Sequence, residues 1–559
     1  MSIIDALNIA WTGIIAQQKG MDVTSHNIAN ADTPGYCRQI PILETIAPIG
    51  GVKVPHIIRA YDIFTTSMIH PKLSVVFDLE VGKKYLENIE GIFNETEDSG
   101  LRATLSDFFN SWEEIANNPS SLAERIAAIE NGQELANKIN TMYQDLENLR
   151  LNANSEIETT VEEINNITSQ IAQLNVKIAE FEAGGENAND LRDKRNFLIE
   201  ELSKLVGNHH IEDKDGKISI FIGKGSTLVQ GKDYNSLEVK TDSGGNFRII
   251  LKVGSSEIDI TDDINGGKIA GLLNMRDEVI PEYKNKLNAL ATSIIKEVNK
   301  QHSQGVGLTL FHETTGSYEV TDPNAQLASQ ASGLDFWDEI IEGNQFTIWV
   351  YDSSGTAVQN QITIQPGWSL NDLRNYINTN VNNLTANIVD GKLQLIADDG
   401  YSFGFSDDSS NILMALGINT FFTGKDAEDI GINSLVSDNP EYIAAAKIEN
   451  DGSFAPGDGR NAQEIANLQD NSIDELGDTF NGYLSSLVGE IGIKARGTYR
   501  NHDFHNSLLS SLKERRESIQ GVSLDEEMTN LIKFQRAYEA CIKIMQASDE
   551  MFEDLLQIK

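Results

Sequence analysis

Cysteine is nearly missing from these 559 residues: Cys37 and Cys541 are the two present, which excludes a disulfide framework. Proline is sparse at 11, so long uninterrupted helices are permitted. Positive charge is scarce as well. Lys and Arg number 44 against 84 Asp and Glu, a net charge of -40, and a field of that sign repels nucleic acid and anionic lipid. The densest basic run, Lys513-Glu514-Arg515-Arg516-Glu517, is mixed in sign and reads as a solvated helix face. Two further absences concern location. No apolar run is long enough to span a membrane, and the first thirty residues lack the basic start and unbroken apolar core of a cleaved signal. Composition therefore reads as cytoplasmic, unless the chain leaves by a route that needs no cleaved signal, with no nucleic-acid and no membrane partner.

What is present is concentrated at the two ends. Ile4, Leu7, Trp11, Ile14, Met21 and Ile28 occupy a and d positions of one heptad register, interrupted by Gln18 and Ser25. Leu524, Met528, Leu531, Tyr538, Ile542, Met545, Phe552 and Leu556 do the same at the far end, interrupted by Gln535 and Asp549. Each Leu or Ile left exposed on such a stripe forgoes about 1.5–3 kcal/mol of burial, so each end needs a partner. Periodicity alone favours two core helices of one domain. Antiparallel pairing with residue 1 near residue 559 would set Cys541 opposite Lys19 and Cys37 opposite Ser523, about 27 Å apart along the helices and beyond any bridge.

Between the ends the period changes several times. Asn30-Ala31-Asp32-Thr33-Pro34-Gly35-Tyr36 stops the first helix, with Pro34-Gly35 suited to the centre of a type II turn. Extended stretches at 40–46 and 52–58 predict a hairpin. Helical pattern runs almost without break from 73 to 205, with Ile164, Ile167, Ile171, Leu174, Ile178 and Phe181 as its clearest stripe and Gly184-Gly185 as the bend of a helical hairpin. A small antiparallel sheet is expected at 211–260, turning at Asp215-Gly216 and Gly244-Gly245, and then one long helix at 268–302. The stretch 330–425 is β-rich, with a hairpin at Asp390-Gly391 and one short helix whose Ser369 and Asp372 have capping-box spacing. Helical pattern returns from 461, so the chain goes out and comes back, placing both ends at one pole.

Several segments resemble one family. Ser25 to Tyr36 is similar to the signature loop after the first helix of bacterial flagellar rod, hook and hook-associated proteins. Gly521-Val522-Ser523-Leu524-Asp525-Glu526-Glu527 and Leu531-Ile532-Lys533-Phe534-Gln535-Arg536-Ala537-Tyr538 resemble its C-terminal signature. Leu191-Arg192-Asp193-Lys194-Arg195, Gly271 to Asp277 with Asn299, His302 and Gly305, Asp107 to Asn110, Asn118-Pro119 and Gly459 to Leu468 resemble the hook-associated branch. Cys37 departs from the pattern, standing where a small polar residue is expected. The resemblance implies a homo-oligomeric ring at the hook-filament junction, flanked by hook protein and by the next hook-associated protein. It also implies export without cleavage to an extracellular location and an export chaperone at the C-terminal helix. Asn27, Asn30, Thr33, Pro34, Gly35 and Tyr36 are the signature-loop residues it carries over, and the two heptad stripes become the subunit-assembly residues.

The expected architecture is α+β and multidomain. Residues 1–36 form an N-terminal assembly helix and loop, 37–329 a mainly helical, elongated body with its small sheet, and 330–425 an inserted β-rich outer domain. Residues 426–520 return to the body and 521–559 form the C-terminal assembly helix, coiled-coil-like with the first. No catalytic, cofactor or metal site is expected. His312-Glu313-Thr314-Thr315-Gly316 has glycine where a zinc helix needs its second histidine, His502 and His505 lack a third ligand, and Gly223-Lys224-Gly225-Ser226 lacks phosphate-loop spacing and reads as a hairpin turn. Alternatives are the hook protein or another axial subunit, or a secreted module whose 330–425 stretch binds a surface ligand. With a net charge of -40, subunit contacts form against mutual repulsion. Polymerisation of the purified chain, followed by light scattering, is therefore expected to become easier as salt rises from about 0.05 to 0.5 M; salt-independent polymerisation would contradict it.

Overall fold

Sparse proline and continuous periodicity do yield long helices. The computed structural model describes residues 2–47, 50–94 and 100–557, with the side chains of 555–557 excepted. Its helices are α1 (Ile3–Ala29), α2 (Ile63–Ile92), α3 (Leu101–Asn117), α4 (Leu122–Glu182), α5 (Asn189–Leu205), α6 (Lys268–Asn274) and α7 (Ile280–His302). They continue with α8 (Leu370–Asn380), the short α9 (Ile412–Ala415), α10 (Ser434–Asp438) and α11 (Arg460–Asn467), then α12 (Phe480–Gln520) and α13 (Leu524–Gln557). Small antiparallel sheets lie between them, so the fold is α+β. Two compact units emerge from separated stretches: Met1–Tyr85, Leu151–Asp277 and Ala495–Lys559 form the first, Leu86–Arg150 and Glu278–Lys494 the second.

The first unit contains both chain ends. A capping box between Ser2 and Asp5 starts α1, and the expected hairpin follows as β1 (Gln39–Ile46) and β2 (Gly51–Arg59), with a bulge between Ile42 and Glu44. Helix α2 begins at Ile63, ten residues ahead of the expected start, and runs through Pro71. Proline in a helix interior costs about 3 kcal/mol. Burial of Ile69, Leu73 and Val76 against Leu509 and Leu512 of α12 offsets that cost and carries the helix across it.

Three asparagines of α4 clip the β-strands to this unit. The amide of Asn175 donates to Ile218 O and accepts from Ile218 N at 2.9 and 3.1 Å, and Asn165 does the same to Leu237 at 2.8 Å each way. Asn154 accepts from Phe247 N at 2.8 Å. Each stands in for a neighbouring strand at the start of β4 (Ile218–Ile222), β7 (Leu237–Thr241) or β8 (Phe247–Val253). The strands of 208–259, in chain order, are β3 (Asn208–Glu212), β4, β5 (Ser226–Gln230), β6 (Asp233–Tyr234), β7, β8 and β9 (Ser256–Asp259). They form two sheets, β3-β4-β5-β6 and β7-β8-β9, where one was expected. The break falls at 235–236, where Asn235 bonds back to Leu228 O and Thr227 O beside β5, while Ser236 O accepts from Lys252 N of β8.

The helix expected over 268–302 is also divided. A π-helical turn at Met275–Val279 separates α6 from α7, and its Arg276 guanidinium, fully buried, donates to Asn154 Oδ1 and Phe247 O and pairs with Asp277. Pro281 follows in the first turn of α7, where its missing N–H costs least.

The second unit centres on an aromatic cluster in which Phe108 and Trp112 of α3 meet Phe421, Phe422 and His302. Asn299 of α7 accepts from Phe421 N and Phe422 N and donates to Phe422 O. One turn on, His302 bonds Asn419 O through Nδ1 and accepts from Ala444 N at Nε2, which fixes a neutral tautomer. Its β-structure comprises β10 (Glu313–Thr315), β11 (Gln345–Tyr351), β12 (Ala357–Thr363), β13 (Leu384–Val389), β14 (Lys392–Ala397) and β15 (Ser402–Ser406), in the orders β10-β14-β13 and β12-β11-β15, and the short pair β16 (Phe422–Thr423) and β17 (Gly431–Ile432). The Asp390-Gly391 turn takes φ of +50° and +73°, as a type I′ hairpin requires, and the capping box at Ser369 and Asp372 is formed. Pairing of β10 with β14 and bridges from Val306 to Ala446 and Phe311 to Phe403 carry this β-structure past both expected limits of 330 and 425. Side-chain alternation marks strands but not the partners that extend a sheet.

Two buried imidazoles tie stability to pH. Burial lowers His302 to about 4, with Arg125 adding to the effect, and burial beside His210 lowers His70 to about 4 against an opposing pull from Glu200. Both folded values lie below the ordinary ~6.5, so between about pH 6.5 and 4 the unfolded chain binds the extra protons. The contribution of these two groups is thus complete above about pH 6.5 and falls as pH drops toward 4. Thermal melts across that range are expected to show the loss, and His302→Gln to reduce it by that residue's share while His70 keeps its own.

The terminal helix pair as candidate assembly surface

Helices α1 and α13 pack antiparallel along their length, and small residues set the closeness of the fit. Gly13 faces Cys541, where an added Cβ would lie 2.8 Å from Sγ, and Gly20 faces Phe534, where it would lie 2.7 Å from the ring. Asn27 faces Glu527 and donates to its Oε2 at 3.0 Å. Ala10, Gly13, Ala16, Gly20, Val23, Thr24 and Asn27 are the buried residues of α1. This seam lies one residue ahead of the expected stripe at 11, 14, 21 and 28, about 100° around the helix. Glu527, Phe534, Cys541 and Ser548 stand in the same relation to 528, 535, 542 and 549.

The expected stripes are therefore not the contact between the ends. Ile4 and Trp11 are 62% and 56% exposed, while Leu7, Ile14, Met21 and Ile28 are half-buried at the flank. On α13, Leu524, Met528 and Phe552 are exposed and Leu531, Tyr538, Ile542 and Met545 half-buried; the side chain of Leu556 lies outside the described residues. Ile15, Ile532, Ile544 and Met551 join the exposed set. The interruptions at Gln18, Ser25, Gln535 and Asp549 are all exposed. The sequence signal for the true seam was the small-residue run at 6, 10, 13, 16 and 20, which apolar periodicity passes over.

The pairing register also differs from residue 1 against residue 559. Gly13, not Lys19, stands at Cys541, and Cys37 lies beside Gln520 with Sγ 3.6 Å from its Oε1. Both thiols are free. The loop sets this register, since Arg38 N donates to Gln520 O and the Arg38 guanidinium pairs with Glu526 and Glu527 at the start of α13.

Within the loop, Asn27 is the hub. Its side chain donates to Gln39 O and accepts from Gln39 N and the Tyr36 hydroxyl, all within 2.7–2.9 Å. Asn30 closes α1 by donating to His26 O, and Thr33 Oγ1 donates to Asn30 Oδ1. Tyr36 N donates to Thr33 O across Pro34-Gly35, with Gly35 at φ +78°, the left-handed position that a type II turn assigns to glycine. A Cβ there would also meet Phe197 at 2.9 Å. Asp193 of α5 accepts from Cys37 N and from Arg59, anchoring loop and hairpin together. Burial, then Asp193, raises the Cys37 thiol to about 12, so it stays protonated and unreactive. Burial and the carboxylates of Asp190, Asp193 and Glu527 likewise raise the Tyr36 phenol, keeping it a donor. Asp193, Arg59, Gln39 and Glu527 were not singled out as site residues from sequence, because partners distant along the chain leave no local pattern.

Comparisons with known proteins converge on one group. Residues 86–317 match the helical domain of the flagellar hook-associated protein FlgK, 7–36 the flagella basal body rod protein, 517–558 the C-terminal region of flagellar basal body rod FlgEFG proteins, and 345–399 the flagellin hook IN motif. The chain is 27% identical to flagellar hook-associated protein 1 of Salmonella typhimurium LT2 over 99% of both chains, and 27% identical to that of Escherichia coli K12 at the same coverage. It is 26% identical to the Bacillus subtilis 168 counterpart over 98% of this chain and 97% of that one. The fold resembles the flagellar hook junction protein FlgK of Burkholderia pseudomallei, with a TM-score of 0.55 and 17% identity over 82% of this chain and all of that one.

Close approach at Gly20 makes a specific claim on energy. Gly20→Val would force α13 outward at a cost of about 1–3 kcal/mol, more than the few tenths that a better helix former returns. Limited proteolysis is expected to cut 521–557 earlier in that variant, and Phe534→Ala in the same chain to restore much of the protection.

Proposed function

The chain belongs to the flagellar hook-associated proteins, within the rod, hook and hook-associated axial family, and from that premise we propose that it forms the junction between hook and filament as a homo-oligomeric ring. Its family makes it a structural part of the external flagellum. In the proposed arrangement hook protein lies on one side and the next hook-associated protein on the other, the terminal helices line the inner tube, and the acidic β-rich stretch 330–425 faces outward. The role is mechanical, without a catalytic step. Export proceeds through the organelle without cleavage, and a chaperone covers the C-terminal helix beforehand.

The observation that carries this reading is the division of labour on the terminal helices. Small residues close the helix pair within one chain, and large apolar residues remain outside it: Ile4, Trp11, Leu524 and Met528 are each at least half exposed. Covering one such side chain stabilises by about 1.5–3 kcal/mol, and large apolar side chains exposed along the helix pair in this way mark an interaction surface. Neighbouring subunits presenting the same surface would cover it. No helix among the described residues is long and apolar enough to cross a membrane.

Removal of residues 521–559 tests the reading. The shortened chain is expected to keep the second unit folded by circular dichroism and to be absent from detached hook-filament fractions on immunoblots. Its presence there at normal level would show that the C-terminal helix is not required for incorporation.

A further inference from the structure

The segment of α12 within the first unit carries a face that the in-chain packing leaves open. Leu509 and Leu512 point into the core with Ile69, Leu73 and Val76. On the other side Arg500, Phe504, Leu508, Ser511, Arg515 and Ile519 follow one another at four-, four-, three-, four- and four-residue steps and are all exposed, so they share one face. Phe504 is 66% exposed. Asp503, Glu514 and Glu517 fall to its flanks, and Arg500 has no ion-pair partner among the described residues. Asp62, at the start of α2, lies near enough to Arg515 to feel its charge, and there Ile63 and Phe64 add exposed apolar surface. In a chain of net charge -40, an apolar face whose own charged positions, Arg500 and Arg515, are both cationic is an exception that calls for an acidic apolar partner.

The same unit contains such a partner. The C-terminal half of α13 exposes Ala540, Ile544, Ala547 and Met551 on one side, and Asp549, Glu550, Glu553 and Asp554 crowd its end with no base among them. Its apolar spacing and charge complement the α12 face. Within one chain α13 is already held on α1 through Phe534 and Cys541, so the complement must come from elsewhere. We infer that the Arg500–Ile519 face of α12 receives the C-terminal half of α13 from a second copy of this chain. The contact joins two different patches of identical subunits, so it is heterologous and propagates around a ring or along a helix instead of stopping at a dimer. The inference rests on the proposed self-assembly and adds where one subunit grips the next.

Cysteine cross-linking in the assembled organelle tests it. In a chain with Cys37→Ser and Cys541→Ser, the pair Leu508→Cys and Met551→Cys is expected to give a ladder of disulfide-linked species in oxidised, detached flagella, with neither single cysteine giving one. Normal incorporation without cross-links, or a dimer from Leu508→Cys alone, overturns the inference. Should the cysteine pair block incorporation, charge exchange decides. Arg500→Glu with Arg515→Glu is expected to lower incorporation roughly tenfold or more, and Glu550→Arg with Asp554→Arg in the same chain to restore it. Incorporation unchanged by the first exchange, or not restored by the second, points to no contact or to another acidic partner and overturns the inference. A native chain found at normal level outside the hook-filament boundary would instead overturn the junction reading itself, so the two failures are distinguishable.

Discussion

Close approach of α1 to α13 through glycine and alanine is the constraint on which the first unit depends. Had the large residues at 4, 11, 14, 21 and 28 filled the seam, the helices would stand further apart and their outer faces would be polar. With Gly13 and Gly20 admitting Cys541 and Phe534, the α1 side of the seam is closed by residues that contribute little apolar area. The large side chains then turn outward. The helix pair is a formed element in the single chain and still has its most hydrophobic surface unspent. A lone helix of this length would be marginal in water, so in-chain pairing gives the ends a definite shape before any neighbour arrives.

Buried polar side chains do the corresponding work where the backbone is irregular. Asn27 ties the loop to the hairpin and to α13, and Asp193 ties Cys37 to Arg59. In the second unit Asn299 and His302 hold the turn at 419–422, and a Cβ at Gly305 would collide with Asn461. These include residues by which the chain resembles its family, and the geometry says why. Each satisfies backbone groups that no helix or ladder reaches, and an unsatisfied buried group costs about 1–3 kcal/mol. A substitution there would destabilise a connection without touching the hydrophobic pattern.

What could be read from sequence follows from this division. Local chemistry was legible: the type II turn at Pro34-Gly35, the type I′ turn at Asp390-Gly391, the capping box at Ser369 and the helix-sheet-helix order all depend on residues adjacent in the chain. Register was not. Heptad reasoning weights large apolar residues, and here the seam prefers small ones, so the contact face was displaced by one residue on both helices. Helix continuity was misjudged in both directions for a related reason: tertiary burial carries α2 through Pro71, whereas the reach of Arg276 toward Asn154 and Phe247 accompanies a π turn inside an otherwise regular pattern. The division of 208–259 into two sheets depends on residues 235 and 236 taking partners on different strands, Leu228 and Lys252, which no local pattern shows.

Charge and apolar surface act over different ranges, and in the proposed assembly that difference would supply the selectivity. At physiological ionic strength electrostatic repulsion between subunits fades beyond about 8 Å, whereas apolar burial acts only at contact. Two copies of a chain at -40 meeting in an arbitrary orientation feel repulsion with no compensating burial. Only an encounter that brings exposed side chains such as Trp11 and Met528 against apolar surface, with cations such as Arg500 and Arg515 near carboxylates, offsets that repulsion. In the proposed assembly a tube end would present several such contacts at once and so favour docking far more than a free subunit would. Excess acid would then oppose association in solution, and the open helix faces would permit it where a template already stands.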